Sequence, residues 1–443
     1  MRSFRLLALL PLTLVACSAP APPASPRPPC GQAPLAASHR FNLSPFETGL
    51  PTQGQWRDGF VLADINADGR PDVVHGPPRK GPMQPVIFLG DAQGRFQPWS
   101  GTHFPPLPYD YGDVAVADVN GDGAMDMALA AHLRGLTVLI QEGKGQFAPW
   151  NSGLRLEAPN PAAAPLFTSR RLELLDWNGD RRPDLLALNE GPSRLAQTAR
   201  QGEAVALYLN RQGFWEAAPV LQSLNLFGSS LSTGDIDGDG HVDALIGTQN
   251  PGARLIVLLG HENSWLPREL KSLPPKALVT AVALRNVRAD RRPEVIEATR
   301  YVEGDHWCNA LDVVEWSPSK ELLSVLWSDR ADEPIVAVAA EDFDHDGYVD
   351  ITAVRERGSV LLFAGGRNGF TADVSIPAPA WLEGCSAHDM QLADLNGDGT
   401  YEMIISFAGE PSVAGGTCRS RGGFVAWQVR PGGSPTPQSD SHG

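Results

Sequence analysis

Short apolar runs alternate with polar, glycine-containing stretches along most of the chain. One set of runs directly follows an acidic loop and reads "DVVHG", "DMALAAH", "DLLALNE", "DALIGTQ", "EVIEATR", "DITAVRE" and "EMIISFA". A second set reads "PVIFLG", "LTVLIQ", "AVALYLN", "RLIVLLG", "ALDVVEW", "SVLLFAG" and "FVAWQVR". Runs of this length and composition predict strands, and no amphipathic helix of useful length interrupts them.

Two further apolar runs complete each repeat. One follows a glycine and an aromatic residue, as at Phe96, Phe147, Phe214 and Phe370, and another, such as "DVAVAD", leads into the next acidic loop. Each repeat therefore contains four short strands. Four-stranded units that recur four to eight times close radially into a β-propeller. Seven repeats predict an all-β fold, a seven-bladed β-propeller.

The acidic loop that begins at Asp235 reads "DIDGDGHVD" and places four aspartates within nine residues. Two carboxylates about 4 Å apart at an effective dielectric constant of about 20 repel by up to about 4 kcal/mol, so a cation is needed to neutralise them. Positions 1, 3 and 5, a carbonyl at position 7 and Asp243 at position 9 supply oxygen ligands, which select Ca²⁺. A solvated turn is the alternative for a single copy, because Asp, Asn and Gly form turns.

The recurrence of this loop favours calcium. Copies begin at Asp64, Asp118, Asp176, Asp235, Asp342 and Asp394. A seventh stretch, "NVRADRRPE", has Arg288 at position 3, so its guanidinium is expected to replace the ion. Successive copies start 51 to 59 residues apart, which is the period of a propeller or a solenoid.

The two ends of the repeat region complement each other. The stretch from Arg40, "RFNLSPFETGLPTQGQWRDGFVLADINADG", matches the stretch from Arg95 almost element by element. At the other end, "GFVAWQVRPGG" stops where the next outer strand is expected. The N-terminal strand is therefore predicted to complete the seventh blade and to close the ring, which removes an open edge.

These repeats resemble the FG-GAP and VCBS repeat families, whose propeller is shared with the integrin α-subunit head. The resemblance covers about Arg40 to Pro431 and implies that the ions lie in the loop between the first and second strands of a blade, on the lower face. The implied side-chain ligands are Asp64, Asn66, Asp68 and Asp72; Asp118, Asn120, Asp122 and Asp126; Asp176, Asn178, Asp180 and Asp184; Asp235, Asp237, Asp239 and Asp243; Asp342, Asp344, Asp346 and Asp350; Asp394, Asn396, Asp398 and Glu402. The implied backbone carbonyl ligands belong to Arg70, Ala124, Arg182, His241, Tyr348 and Thr400, so that up to six Ca²⁺ are expected. The loop from Asp176 departs from the pattern, since Arg181 stands where glycine permits a left-handed conformation.

The first residues predict export. "MRSFRLLALLPLTLVAC" has a basic start and a short apolar core, as in a secretory signal over residues 1–16, and "LVAC" resembles a bacterial lipoprotein box with lipid on Cys17. An ordinary signal peptide with an incidental cysteine is the alternative. Residues 17–38 are a Pro-rich tether, residues 39–431 the propeller and residues 432–443 a disordered tail. Ser18 rather than Asp after the lipidated cysteine favours the outer membrane, with the protein in the periplasm or on the cell surface.

Four further cysteines are available for oxidation in an exported protein. Cys385 precedes the first strand of blade 7 and Cys418 lies between its second and third strands, so both are expected on the upper face as a disulfide. A bond between Cys30 and Cys308 follows by elimination.

The net charge of −15 and the absence of a basic stripe argue against nucleic acid as a partner. Saturated calcium loops offer no open position for catalysis, so a ligand is expected on the upper face, where exposed aromatic residues suit a glycan or a protein. The candidates are Trp56, Tyr109, Tyr111, Trp307 and Trp381, although such residues also pack loops onto blades. A calcium-stabilised, lipid-anchored, monomeric binding or adhesion module is the leading hypothesis. A polysaccharide-active enzyme (a lyase or hydrolase) and an envelope scaffold are the alternatives, and no catalytic residues stand out.

Overall fold

Seven four-stranded antiparallel sheets form the described part of the computed structural model. The structure describes residues 27–31, 40–79, 83–132, 134–154, 169–189, 205–218, 228–248, 255–261, 264–271, 273–274, 276–288, 292–411, 417–418 and 420–432. A single 3-10 turn at Ala380–Leu382 is the helical element among these residues. The prediction of an all-β, seven-bladed propeller is confirmed. No helix within these ranges has the length and hydropathy that crossing a membrane requires.

Each blade contributes four strands in order from the centre of the ring to its rim. Blades 1 and 2 consist of β2 (Phe60–Ala63), β3 (Asp72–His75), β4 (Val86–Gly90), β5 (Phe96–Pro98), β6 (Val114–Ala117), β7 (Asp126–Ala131), β8 (Gly135–Gly143) and β9 (Gln146–Pro149). Blades 3 and 4 consist of β10 (Ser169–Leu175), β11 (Asp184–Asn189), β12 (Val205–Asn210), β13 (Trp215–Ala217), β14 (Gly228–Gly234), β15 (Asp243–Thr248), β16 (Leu255–His261) and β17 (Ser264–Glu269).

The remaining blades follow the same order. Blades 5 and 6 consist of β18 (Leu278–Arg285), β19 (Glu294–Glu303), β20 (His306–Ser317), β21 (Lys320–Asp329), β22 (Ile335–Glu341), β23 (Asp350–Arg355), β24 (Val360–Ala364) and β25 (Thr371–Ile376). Blade 7 joins both ends of the chain, with β26 (Cys385–Ala393), β27 (Tyr401–Pro411), β28 (Gly422–Pro431) and, at its rim, β1 (Phe41–Pro45).

The core lies between neighbouring blades rather than within one. Every residue of β7, β11 and β15 is buried, because each of these second strands is covered on both faces by the adjacent sheets. Between blades 2 and 3, for example, Val138 packs with Leu185 and Trp215. Burial on both faces explains why the second strands read as continuous apolar runs and not as an alternation of apolar and polar residues.

The first strands surround a central channel. Each contacts the first strand of the next blade, in a circuit that passes through β2, β6, β10, β14, β18, β22 and β26 and returns to β2. In blade 7, β1 pairs antiparallel with β28, from Phe41 opposite Pro431 to Pro45 opposite Trp427. The ring of Phe41 packs edge-on against Phe343 of blade 6 with centroids 6.0 Å apart, so the N-terminal strand is part of the core.

Two disulfides lie in blades 5 and 7. Cys385 is joined to Cys418 within blade 7, and Cys30 is joined to Cys308, the third residue of β20. These are the two pairings that the sequence proposes. Residues 27–31, which the sequence assigns to the tether, lie against blade 5: the amide of Gly31 donates to Ser328 Oγ (2.9 Å) and that of Cys30 to Glu303 Oε2 (3.2 Å). Cys17 and residues 433–443 lie outside the described residues.

Arg27 reaches into the boundary between blades 4 and 5. Its Nη1 atom donates to Asp312 Oδ2 (2.6 Å) and its Nη2 atom lies 3.6 Å from Glu297 Oε1. Both carboxylates are fully buried and face each other on β19 and β20. Burial next to Asp312 holds the pKa of Glu297 well above its usual range. The guanidinium therefore pairs with the Asp312 carboxylate and lies beside Glu297, whose raised pKa favours the neutral form.

Candidate functional site

The six acidic loops share one backbone conformation. Each connects the first to the second strand of a blade, and the amides at positions 5, 6 and 7 donate to carboxylates at positions 1 and 5. In the Asp235 loop, Gly240 N donates to Asp235 Oδ2 (2.9 Å) and His241 N to Asp239 Oδ1 (2.8 Å). Positions 4 and 6 have positive φ in all six loops, including Ala67, Arg181 and His345. The sequence predicts this for position 6 and misses position 4.

The carboxylate at position 9 is a structural link as well as a potential ligand. Asp243, which is 1% exposed, accepts from Ile236 N in the loop (2.8 Å) and from Gly260 N on the third strand (2.7 Å). The same carboxylate contacts recur at Asp72, Asp126, Asp184 and Asp350. Burial raises the pKa of Asp243 to about 6, although the backbone donors oppose the rise. Position 9 therefore fastens the loop to two strands.

The donor atoms fit a calcium ion. In blade 4, Asp235, Asp237 and Asp239 each bring an oxygen within 4.8 Å of the others, and in blade 6 Asp342, Asp344 and Asp350 do the same. Oxygens bound to one Ca²⁺ at 2.3–2.6 Å lie at most about 5 Å apart, so both sets match its coordination shell. The loops that have Asn at position 3 offer carboxylate and amide oxygens, which are hard ligands, at the same positions.

Cationic side chains of the chain itself contact some of these loops. Arg40, just before β1, bridges Asp344 and Asp346 in blade 6 and donates from Nη1 to Gly365 O (2.7 Å). In blade 3 Asp180 pairs with Arg182 and lies 3.8 Å from Arg211. Positions 3 and 5 of the blade 6 loop are thus neutralised by an arginine, which would compete with an ion there.

Arg288 of the degenerate loop in blade 5 contacts two carboxylates. Arg288 Nη1 lies 2.8 Å from Glu315 Oε2 and Arg288 Nε lies 3.8 Å from Glu294 Oε1. Glu294 occupies position 9 and accepts from Val287 N (3.0 Å), as its counterparts do in the other blades. The guanidinium therefore lies beside the buried carboxylate of a loop that lacks the acidic ligand set.

The upper face carries the turns between second and third strands and the segments that enter the first strands. Two of the five aromatic candidates are not surface residues: Trp56, 8% exposed, packs against Phe88 and Phe424, and Tyr109, 6% exposed, donates to Pro105 O (3.0 Å). Their expected exposure is wrong, because these rings fill the core next to the loops that they belong to.

The other three aromatic candidates reach the surface at separate places. Tyr111 is partly exposed and stacks on His132 with ring centroids 4.7 Å apart. Trp307, at 41% exposure, is covered by Arg300 at 4.6 Å, and Trp381, at 38% exposure, belongs to the 3-10 turn before blade 7. They lie in blades 2, 5 and 7 and do not form one aromatic site.

A cavity of about 520 Å³ occupies the central channel. At its upper end, Arg171 Nη1 lies 3.7 Å from Asp113 Oδ1 and 3.8 Å from Asp389 Oδ2. Burial raises the pKa of Asp113 to about 7, an effect that Arg171 opposes, and burial also raises the pKa of Asp389. These three side chains are the charged layer at the channel mouth.

The charged layer also connects blades. Phe60 N donates to Asp389 Oδ2 (3.3 Å), and Leu172 N donates to Asp113 Oδ2 (3.3 Å). Further along the channel, Leu284 N donates to Ser232 Oγ (3.0 Å) and Arg285 Nε donates to Ala340 O (3.2 Å). Gly59 has no side chain at this level, and a Cβ there would come within 1.5 Å of Asp113 Oδ1. The missing side chain in blade 1 leaves room for the ion pairs.

The sequence contains a signal for this layer that motif inspection overlooks. Asp113, Arg171 and Asp389 each stand five residues before the first residue of an acidic loop. The corresponding residues of the other blades are Gly59, Ser230, Ala281 and Ala337. Alignment of the repeats on their loops would have placed all seven residues at one level of the channel, with charges in three blades.

Comparison with known families agrees with the repeat structure. The sequence model of the FG-GAP-like repeat matches residues 64–129, 118–187, 176–246 and 335–405, which together make up more than half of the chain. The first three stretches begin at the first ligand of an acidic loop, and blade 5, whose loop lacks the ligands, lies outside all four. No curated protein sequence matches the chain.

Proposed function

Because the chain belongs to the FG-GAP-like repeat family, we propose that it is an exported binding or adhesion module, stabilised by Ca²⁺, that holds a glycan or protein ligand on its upper face. Two disulfides agree with export. The lipoprotein-like start of the sequence supports attachment to the cell envelope through lipid on Cys17. The calcium loops support the ring from below, which leaves the upper face for recognition.

The charged layer at the channel mouth is the main support for placing the ligand site there. Ligand sites are concave and contain a few convergent polar groups, and a group with a perturbed pKa marks such places. Arg171, Asp113 and Asp389 supply donors and acceptors of hydrogen bonds at the entrance of a 520 Å³ cavity. A ligand rich in hydroxyl or amide groups fits this chemistry.

The binding site is tested with the Arg171→Met variant on a glycan array and in a pull-down from envelope extracts. Arg268→Met is the matched control, since Arg268 lies on the rim strand β17 and donates to its own neighbour Pro267 O. We expect R171M to lose binding at least tenfold and R268M to retain it. Equal binding by both variants, with unchanged circular dichroism, would place the ligand elsewhere.

Calcium binding is tested by titration calorimetry and metal analysis of dialysed protein. Up to six ions are proposed, one in each acidic loop outside blade 5. Replacement of Asp235, Asp237 and Asp239 by Asn should remove one ion, whereas Arg288→Gln in blade 5 should remove none. Protein that binds no Ca²⁺ at millimolar concentrations would contradict this part of the proposal.

A polysaccharide-active enzyme is a second candidate, favoured by the two carboxylates of the charged layer. Asp113 and Asp389 both lie within 4 Å of Arg171 Nη1, so their carboxylates are no farther apart than the upper limit of about 9.5 Å in glycosidases. A pKa of about 7 would keep Asp113 protonated as a general acid near neutrality. Release of reducing sugar from envelope polysaccharides, lost in Asp113→Asn, would support hydrolysis over binding alone.

A further inference from the structure

The hairpin of β19 and β20, here called the blade 5 hairpin, is long for this ring. Its strands contain 10 and 12 residues, a length that β27 and β28 of blade 7 match with 11 and 10, whereas the second strands of blades 2, 3, 4 and 6 contain six. Its turn at Gly304 lies on the upper face. Beside the turn, Val302 and Trp307 are opposite each other across the two strands and are 55% and 41% exposed. The tip of the hairpin therefore carries an apolar pair that is partly exposed to solvent, with the Arg300 guanidinium over the Trp307 ring at 4.6 Å.

The N-terminal segment is fixed next to this tip. Cys30 is bonded to Cys308, the residue after Trp307, with Cα atoms 6.0 Å apart, and its amide donates to Glu303. Arg27 is held by Asp312 on the same hairpin. Any segment that precedes Arg27 in the chain must therefore leave the propeller from blade 5.

The sequence limits how far such a segment can reach. Arg27 is the tenth residue after Cys17, and ten residues span at most about 31 Å if they are in the extended polyproline conformation. His306, at the turn, precedes Cys308 by two strand positions, or about 7 Å. A lipid on Cys17 would thus keep the bilayer within a few nanometres of the hairpin tip.

We propose that the tip of the blade 5 hairpin, through Val302 and Trp307, rests on the bilayer that holds the lipid of Cys17. The proposal rests on the lipid anchor of the proposed function. Tryptophan favours the interface between water and acyl chains, because its ring is apolar and its N–H is polar. Two apolar side chains are too few to hold a protein on a membrane alone, but the anchor raises their local concentration at the surface.

This contact would fix the orientation of the ring. Blade 5 would face the bilayer, and blades 1 and 2, which lie across the ring from it, would point away. The charged layer comes from blades 2, 3 and 7, so none of its three residues belongs to the blade that would touch the membrane.

The contact can be measured without relying on natural lipidation. Four of the five cysteines are in disulfides, so protein that starts at Cys17 can be coupled through this thiol to a maleimide lipid in phosphatidylcholine vesicles. Acyl chains carrying bromine then quench the fluorescence of tryptophans that touch the bilayer. Trp307→Phe is compared with Trp381→Phe, which removes a tryptophan of similar exposure from blade 7.

We expect bromolipid quenching in the parent protein and in W381F, and the loss of at least half of it in W307F. Equal quenching of the two variants would overturn the hairpin contact and leave the anchor untouched. The anchor is read separately, by mass spectrometry of the N-terminal peptide of full-length protein recovered from a Gram-negative envelope. A Cys17 without lipid in that peptide would overturn the anchor and the proposal together.

Discussion

The sixth residue of each acidic loop needs a left-handed backbone, and blade 3 meets this need with Arg181 at a φ of 65°. A residue with a Cβ in this conformation costs about 1 kcal/mol or more relative to glycine, partly offset by the greater freedom of glycine in the unfolded chain. Arg181→Gly is therefore expected to raise the free energy of unfolding by about 0.5–1 kcal/mol. Urea denaturation in saturating Ca²⁺ measures the change.

The equivalent residue of blade 4 gives the matched control for this substitution. Gly240, with a φ of 90°, has open space where a Cβ would lie, so Gly240→Ala changes the backbone energy without a clash. It should lower the free energy of unfolding by about 1 kcal/mol. Effects of the same sign at both positions would show that the loop backbone is not what distinguishes blade 3.

Asp113 makes stability depend on pH. Burial raises its pKa to about 7, above the ordinary value of 3.8, so the folded state holds a proton that the unfolded state releases. Its contribution to stability is complete below about pH 4 and is lost as the pH rises through about 7, with a slope of at most about 1.4 kcal/mol per pH unit. Arg171 and Asp389 are the charged groups that face Asp113 in this layer. Burial raises the pKa of Asp389 as well.

Asp113→Asn should flatten this part of the pH profile, since its side chain stays neutral. Urea denaturation between pH 5 and pH 8, with Ca²⁺ present throughout, compares the variant with the parent protein. A parent protein whose stability does not fall relative to D113N over this range would contradict the buried, proton-holding state of Asp113.

Single residues were predictable where a repeated pattern defined their role. The spacing of carboxylates located every acidic loop and showed that Arg288 belongs to a degenerate one. Aromatic residues such as Trp56 carried no such pattern, because a ring beside a turn can pack inward or outward. The charged layer was missed for another reason: Asp113, Arg171 and Asp389 are far apart in sequence, and only the closed ring brings them together.

At the scale of elements, the segment 27–31 is docked on the propeller although its composition predicts a tether. A Pro-rich stretch is typical of a tether, yet here Arg27 pairs with Asp312 and contacts Glu297 between two blades. Removal of one partner from a buried ionic group costs about 3–5 kcal/mol. Arg27→Met is therefore expected to lower the free energy of unfolding by that amount, as measured by denaturation with the disulfide intact.

Two comparison variants separate this ionic effect from a general loss of packing. Arg330→Met removes an exposed ion pair with Glu303 on the same blade and should cost less than about 1 kcal/mol. The double variant Arg27→Met/Asp312→Asn should recover most of the loss, because one buried charge disappears with its partner. A double variant as unstable as R27M would show that Arg27 acts through its packing.

The residue before the N-terminal strand also reaches an acidic loop, since Arg40 bridges Asp344 and Asp346 of blade 6. An ion in this loop must displace the guanidinium, so blade 6 is expected to bind Ca²⁺ more weakly than blade 4. Arg40→Gln should tighten binding in blade 6 about tenfold, which corresponds to about 1.4 kcal/mol. Terbium luminescence sensitised by Tyr348, at position 7 of the same loop, reports on this site.

Arg95, outside the loops and in the turn before β5, provides the control. Arg95→Gln should leave the terbium titration of blade 6 unchanged. A titration of R40Q that overlays the parent curve would mean that the arginine moves aside at no cost and does not compete with the ion.

For the whole molecule, the period of the acidic loops was enough to predict the number and the order of the blades. Strand pairing within a blade is local, because successive runs lie next to each other in sequence. The docking of residues 27–31 and the layer inside the channel depend on contacts between residues that the ring alone brings together, such as Cys30 and Cys308, 278 residues apart. No local pattern encodes the contact of Cys30 with Cys308, whereas the level of the channel residues follows from their distance to the acidic loops.

Bound calcium is expected to supply most of the free energy that stabilises the ring as a whole. Each loop fastens the first three strands of its blade through a buried position 9 carboxylate, and without an ion its acids repel one another. At a free concentration 100 times the dissociation constant, one bound ion stabilises the folded state by about 2.7 kcal/mol, and six ions by about 16 kcal/mol. This exceeds the net stability of most domains, about 5–15 kcal/mol.

Chelation should therefore lower the melting temperature by tens of degrees at neutral pH. In the presence of calcium, the melting temperature should rise as the Ca²⁺ concentration increases. Differential scanning calorimetry in EDTA and in 0.1, 1 and 10 mM Ca²⁺ measures both effects, with Mg²⁺ as the control ion because it requires shorter bonds and a more rigid octahedral shell. Blade 5, neutralised by Arg288, needs no ion, so residual structure in EDTA should be most protected from hydrogen exchange there. A single transition at the same temperature in EDTA and in calcium would mean that backbone donors alone hold these carboxylates in place.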